Sequence, residues 1–438
     1  MISFEEARDT ILENVAPLEH EQVALRDSLG RVTAEDVIAP FDLPTFDNSA
    51  MDGFAVRAAD CDGFPSLTIQ GYIPAGGTVT VEATLGGAIK IMTGAPVPKG
   101  CDAVVPLEEA EEAGHEVSIK ALVELGQHIR CAGEDVRQGE TVLHAGTLIR
   151  VPEISILASL GLQYVNVTRR PHVAILSTGD ELVELGQALP AYKVFDSNSA
   201  ALAAAVRGAG AVPIPLGIAR DDHKHLQQKI TAGFKADALV TAAGVAVGDR
   251  DFVREVLREL GVRQLFHEVN IKPGKSVVFG LKDGKPVFSL PGNPVAAMVT
   301  FEELVRPALL KMTGHRSVIQ PLMSATLQGP LRKRRGKTCF SPVKLEVVDG
   351  RYVAHSTVKA NQHTGFLTTM IGADAVTVLP TDMLSLAGGE EVLIHAISGA
   401  LGELSRAHQT QSNLRDRTSE FDTSGNEEFV HQTPGPNT

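Results

Sequence analysis

Apolar residues near the start of the chain fall at helical spacing: Phe4, Ala7, Ile11, Leu12 and Val15 share one face, with Ser3 and Glu6 placed as a capping box. An amphipathic helix is expected over residues 3 to 15. From about residue 54 to 149 short Val, Ile and Leu runs are broken by Gly and Pro, a β-rich pattern. A helix returns from Pro152 to Leu160. Between Pro171 and Met312 the order strand, glycine-containing polar loop, helix repeats. The apolar runs are HVAIL (172–176), VPIPLGIA (212–219), ALV (238–240), VVFG (277–280) and VFSL (287–290). The helical stretches run from Ser199 to Arg207, His223 to Ala232 and Phe252 to Leu260. This alternation predicts a doubly wound α/β domain with a mostly parallel sheet. Lys282-Asp283-Gly284-Lys285 signals a hairpin turn, so one edge of that sheet should be antiparallel. Beyond Pro321 strands continue without helices to about Ile397, which predicts a small β-barrel or sandwich. Polar residues dominate from about Leu401, and a disordered tail is expected there.

A chain of 438 residues exceeds what one core organises, so two to four domains are expected. Acidic residues outnumber basic ones 53 to 40, for a net charge of -13, which argues against nucleic-acid binding by the protein as a whole. Any anion site must be local. The N-terminus shows no signal-like apolar run, and no apolar stretch approaches about 18 residues, so no membrane association and a cytoplasmic location are expected. Cys61, Cys101, Cys131 and Cys339 lie far apart without CxxC spacing, the usage of reduced thiols rather than of a zinc site or a disulfide framework.

In open α/β sheets ligands bind outside the carboxyl ends of the strands, where loop amides and helix N-termini face an anion. Five segments fall there. Ser177, Thr178, Gly179, Asp180 and Glu181 follow the first strand; hydroxyls and an amide suit phosphate oxygens, and Glu181 suits a metal or a pterin ring, but a helix cap with an acidic first turn reads equally. In Asp196-Ser197-Asn198-Ser199 any of four side chains can cap the next helix and leave others for ligand. Asp221 and Asp222 suit magnesium or a cap. The small-residue loop from Thr241 to Asp251 carries Gly244 and Gly248, which permit close backbone approach, and Asp249; tight packing is its other reading. Lys272-Pro273-Gly274-Lys275 with Pro291-Gly292-Asn293-Pro294 concentrates positive charge suited to a tetrahedral oxyanion, or forms a solvated basic turn. Two loops outside this region stand out: residues 42–57, with Asp47, Asn48, Ser49 and Asp52, and residues 91–105, with Thr93 and Gly94 ahead of Pro96 and Pro98.

Taken together, FDNSAMDGFAVR, TGAPVPKGCDAVV, CAGEDV, STGDEL, DSNS, GDRDF, KPGK and LPGNPV, in that order and spacing, resemble the molybdopterin molybdenumtransferase family (MoeA and the gephyrin E-domain) over about residues 1 to 398. The resemblance implies a multi-domain α/β protein. Residues 1–41 and 130–169 would form an elongated helix/strand domain and 42–129 an inserted β-rich domain. Residues 170–316 would form a MogA-like, molybdopterin-binding α/β domain and 317–398 a C-terminal β-barrel-like domain, ahead of a disordered 399–438 tail. It implies a homodimer with its crevice shared between subunits, and a reaction that takes adenylylated molybdopterin and molybdate, releases AMP and is assisted by Mg2+. Molybdopterin adenylyltransferase and recipient molybdoenzymes are the implied partners.

Carried over residue by residue, the resemblance puts Asp52, Thr93 and Asp135 in the crevice from the partner's side. Glu181, Asp222 and Asp249 would line the α/β side and hold the metal, and Lys272 and Lys275 would grip the oxyanion. Ser177, Thr178, Gly179, Ser197, Asn198, Gly244, Gly248, Pro291, Gly292 and Asn293 would cradle the pterin. Such chemistry needs charge neutralisation by a metal and lysines more than covalent catalysis.

The chain departs from the family pattern at several positions. Ala242, Ala243 and Ala246 replace a serine, a glycine and a serine, and Ala296 replaces another serine. Pro342, after Phe340, stands where relatives often carry an arginine, with Arg335 nearby as a substitute, and Glu268 stands where many are basic. Each lost charge-assisted bond weakens oxyanion binding by roughly 1.5 to 3 kcal/mol. Beside the transferase reading this leaves a catalytically weakened paralogue that binds or carries molybdopterin or its molybdenum form, and an assembly scaffold.

Overall fold

In the computed structural model residues 1–63, 65–243, 252–333, 336–358 and 366–397 are described. Two units result: residues 20–167, and Met1–Glu19 together with the chain from Thr168 onward. Gly244, Ala246, Gly248, Asp249, Arg335 and the expected 399–438 tail lie outside the described residues.

The 20–167 unit is built on a six-stranded sheet in the order 103–106, 53–56, 87–91, 66–73, 116–119, 110–113. Its neighbours pair antiparallel except 66–73 with 87–91. Both faces are packed, one by Phe54, Val56, Leu67, Val105 and Val117, the other by Ala55, Ile73, Ile89, Ile91 and Val104. Strands 53–56 and 103–106 are therefore buried at every position rather than alternating. Gly53 has no room for a side chain, since a Cβ there would lie 2.0 Å from the Val105 carbonyl oxygen. The helix expected from Pro152 runs from Val151 to Ser159 and buries Leu157 with Ile149, Val165 and Val167.

In the other unit helix α1 (Phe4–Glu13) opens on the expected reciprocal cap: the Glu6 N–H donates to Ser3 Oγ at 3.1 Å and the Ser3 N–H to Glu6 Oε2 at 2.8 Å. There follow β1 (His172–Thr178), α2 (Ser197–Gly208), β2 (Val212–Ala219), α3 (His223–Gly233), β3 (Ala238–Ala242), α4 (Phe252–Glu259), β4 (Arg263–Phe266), β5 (Val278–Lys282), β6 (Lys285–Leu290), α5 (Pro294–Thr300) and α6 (Arg306–Met312). The sheet order is β2-β1-β3-β6-β5-β4. Its first four strands are parallel, and β5 runs antiparallel to both neighbours. The β5–β6 hairpin turns at Asp283 and Gly284, with φ of 50° and 79°, the two positive values that a tight right-twisted hairpin requires.

One face of this sheet, with Val173, Ile175, Val240, Phe288 and Leu290, is covered by Phe4 and Ile11 of α1, Leu202 and Val206 of α2, Val299 of α5 and Leu309 of α6. The opposite face, with Ala174, Leu176, Leu239 and Val287, packs on Leu226 and Ile230 of α3 and Val253, Val256 and Leu257 of α4. Each fully buried aliphatic or aromatic side chain contributes about 1.5–3 kcal/mol. This is the doubly wound domain the alternation predicts.

Strands β7 (Met323–Leu327), β8 (Thr338–Val348), β9 (Arg351–Ser356), β10 (Ala375–Leu379) and β11 (Glu391–Ala396) pair in the ring β8-β9-β7-β11-β10-β8. The choice between barrel and sandwich is thus settled as a closed barrel, filled by Leu327, Val343, Leu345, Ala354, Leu379 and Ile394. Pro342 lies within β8. Ile271 and Lys272 add to this strand in parallel, opposite Thr338 and Cys339. Among the described residues no helix is long and apolar enough to cross a membrane.

Candidate functional site

The loops following β1 and β6 and the first residue after β3, Ala243, converge at the carboxyl ends of the parallel strands. Asp196 caps α2: its Oδ1 accepts the Ser199 N–H at 3.0 Å and the Ser177 hydroxyl at 2.9 Å. Of the four candidate caps in DSNS the aspartate therefore serves, and the Ser177 proton is committed inside the protein rather than offered to a ligand. Asn198, the second residue of the helix, donates from Nδ2 to the Gly292 carbonyl at 2.8 Å and ties the β1 side to the β6 loop. Gly292 faces Ala243 so closely that a Cβ on it would lie 3.0 Å from the Ala243 methyl. Asn293 caps α5, its Oδ1 accepting the Ala296 N–H at 3.1 Å. Thus Ser177, Asn198, Gly292 and Asn293 belong to one constellation. Ser197 occupies the first turn of α2, and Pro291 directly precedes Gly292.

The chain between β3 and α4 begins later than the sequence suggests, because Thr241 and Ala242 still belong to β3 and are buried. Ala242 sits opposite Ser177 on β1, packed in the core and not in a loop. Ala243 follows with φ of 74°, a left-handed conformation that a methyl group disfavours. Across the same strand ends the hydroxyls of Thr178, Thr241 and Ser289 are buried with no hydrogen-bond partner among the described residues. Thr241 and Ser289 face each other on β3 and β6. Unpaired buried hydroxyls cost free energy, and these lie beneath the strand ends rather than on an open surface. Ser289 was missed in the sequence; its one signal is a serine interrupting a strand otherwise apolar.

Carboxylates gather after β1 and β2. Glu181 folds over Gly179, whose hypothetical Cβ would fall 2.3 Å from Glu181 Oε2. The Asp221 N–H donates to Asp180 Oδ1 at 3.2 Å, and Asp222 caps α3 by accepting the His225 N–H at 2.7 Å. Among the described residues no three side chains form a ready metal cluster. Magnesium, however, characteristically takes one or two carboxylates and completes its shell with water and substrate phosphates. Glu181 and Asp222 are donors of that kind, and Asp249 lies outside the described residues.

Lys272 is exposed on the strand pair with β8. Lys275 is not free: its Nζ lies 2.8 Å from Glu268 Oε1. The Lys275 hydrogen bond holds the Glu268 carboxyl below its usual range, with His267 and the N-terminal amine acting in the same direction. Gly274 packs against Thr300, with a hypothetical Cβ 2.3 Å from its methyl, so the turn between the lysines is fitted to α5. Cys339, opposite Lys272, is pushed up by burial.

In the 20–167 unit Asp52 and Thr93 meet. Asp52 Oδ1 accepts both the Thr93 N–H at 2.7 Å and its hydroxyl at 2.8 Å, and these bonds hold the carboxyl below its usual range. Asp135 is exposed, and its N–H donates to the Leu43 carbonyl at 3.1 Å; no hydrogen bond among the described residues joins it to that pair.

Three family models match the chain: "MoeA N-terminal region (domain I and II)" over residues 2–161, "Probable molybdopterin binding domain" over 174–311 and "MoeA C-terminal region (domain IV)" over 324–397. A molybdopterin molybdenumtransferase of Haemophilus influenzae is 34% identical over 407 residues, covering 92% of this chain and 100% of the relative. Molybdopterin molybdenumtransferase 2 of Mycobacterium tuberculosis is 35% identical over 405 residues, covering 90% and 99%. The crystal structure of a molybdopterin biosynthesis MoeA protein from Pyrococcus horikoshii OT3 superposes with a TM-score of 0.78 at 31% identity, over 91% of this chain and 100% of that one.

Proposed function

The chain belongs to the molybdopterin molybdenumtransferase family, a family of transferases in molybdenum cofactor biosynthesis, and from that premise we propose that it takes adenylylated molybdopterin and molybdate, releases AMP and leaves molybdenum on the pterin dithiolene. The observation that supports this reading most directly is the convergence of Ser177, Asn198, Ala243 and Gly292 at the ends of the parallel strands, with Asn198 tied to the Gly292 carbonyl.

In this reading Asn198 and the Gly292 backbone position the pterin, and Lys272 supplies positive charge to the tetrahedral oxyanion. Glu181 and Asp222, with Asp249, would hold magnesium, which supplies neutralisation of phosphate charge when the phosphoanhydride is cleaved. Asp52, Thr93 and Asp135 would enter from the second subunit of a homodimer. The adenylyltransferase that makes the substrate and the molybdoenzymes that receive the product are the partners this implies.

A second reading is a binding or carrier protein. It is favoured by Ala296, whose methyl lies buried in α5 beside the lysine turn, and by Lys275 already engaged with Glu268. Purified chain given adenylylated molybdopterin, magnesium and molybdate separates the two. AMP release at ordinary molybdate concentrations, lost in Lys272→Ala, is expected of the enzyme; tight pterin binding without AMP release overturns it in favour of the carrier.

A further inference from the structure

The turn that carries Lys272 and Lys275 contains its own anion. Glu268 leaves β4 two residues after Phe266, and its backbone is fixed by the Ile2 N–H, which donates to the Glu268 carbonyl at 3.2 Å. Lys275 is fixed in turn, its carbonyl accepting the N–H groups of Val269 at 3.0 Å and Val277 at 3.1 Å. Both main chains are therefore held while the two side chains meet at 2.8 Å. The carboxylate is four-fifths covered and lies among Lys275, His267 and the N-terminal amine. A carboxylate on an ammonium presents the same oxygen contact that a tetrahedral oxyanion would present.

This inference rests on the reading of the lysine turn as the oxyanion holder. We propose that Glu268 is an internal competitor for Lys275, and so a determinant of oxyanion affinity in this chain. With Glu268 in place the turn offers one net positive charge where its two lysines alone would offer two. A dianion arriving at Lys272 meets a Lys275 ammonium whose charge the Glu268 carboxylate already offsets, and that carboxylate repels it. Glu268 acts through Lys275 and is a positioning residue, not a catalytic one.

The test measures molybdate retention by the full chain in equilibrium dialysis, read by elemental analysis, with no pterin present. Glu268→Gln, which keeps shape and removes charge, is expected to tighten binding about tenfold, the size of one contact of about 1.4 kcal/mol. Glu268→Ala should tighten it similarly, and thermal melts of both variants check that they remain folded. The gain must vanish when Lys275→Ala is added, a coupling that a merely structural role would not produce. Unchanged affinity in both Glu268 variants, or a gain that survives Lys275→Ala, overturns the proposal while leaving the lysine reading intact. If Lys272→Ala and Lys275→Ala leave retention unchanged in the Glu268→Gln background, the oxyanion is not held at this turn, and the underlying reading falls with the proposal.

Discussion

Ala243 carries a methyl group at a φ of 74°, and the same methyl limits how close the Gly292 backbone can come. Left-handed conformations cost a non-glycine residue roughly 1 kcal/mol. Ala243→Gly is therefore expected to stabilise the chain by about 0.5–1 kcal/mol in urea denaturation, despite the entropy a glycine adds to the unfolded state. Gly292→Ala should destabilise the parent more than it destabilises the Ala243→Gly variant, because only the parent has a methyl for the new Cβ to meet. Strictly additive effects would show that the two positions do not touch. The sequence made Ala243 visible as a departure from a family glycine, since a glycine in such a loop announces an unusual φ. It could not show that Lys275 pairs with Glu268. Seven residues separate them, and the pairing depends on β4 and the turn returning to one place.

Among the elements, α2 depends on a single aspartate for two tasks. Asp196→Ala removes the cap and leaves the buried Ser177 hydroxyl without its acceptor, so a loss of about 2–4 kcal/mol is expected, above the roughly 1 kcal/mol typical of a cap alone. Asp196→Asn keeps an oxygen in place and should lose less; equal losses in denaturant titrations of the two variants would refute the double role. Long apolar runs made β1, β2, β3 and β6 legible from sequence, and alternating turn chemistry placed α2, α3 and α4 to within two residues. The strand β4 was not legible. Its residues, RQLF, are short and half polar because an edge strand is covered on one side only. Closure of the barrel was equally hidden, since it rests on β8 pairing with β10 across a segment of connecting chain that no local pattern encodes.

At the scale of the whole molecule, the 1–19 segment joins the α/β domain through a shared guanidinium. Arg169 donates to both oxygens of Asp237, at 2.8 Å and 3.0 Å, and to Glu19 at 3.0 Å. The Asp237 carboxylate also accepts the His172 N–H at 2.8 Å. Burial pushes the Asp237 carboxyl up, but the Arg169 and His172 bonds outweigh it and leave the group below its usual range. A carboxyl depressed in the folded state stabilises above its unfolded value, about 3.9, and loses that contribution as pH falls through the folded value. Asp237→Asn is accordingly expected to melt below the parent at neutral pH, with the gap closing under strong acid. A gap that stays constant with pH would assign the loss to packing instead. The two-unit division was only partly foreshadowed in the chain. The β-rich and α/β stretches read as different, but α1, far away in sequence, packs with Phe340 of the barrel and with the α/β core.

The parallel pairing of Ile271 and Lys272 with Thr338 and Cys339 gives the two lysines different anchors. Lys272 is hung from the barrel wall, whereas Lys275 is bolted by its carbonyl to Val269 and Val277 beside the α/β sheet. The pair works like a caliper with one jaw on each body, so the gap between the ammonium groups is gauged by how the barrel is seated. If Lys272 and Lys275 hold the oxyanion as proposed above, the seating of the barrel sets the spacing at which they meet it.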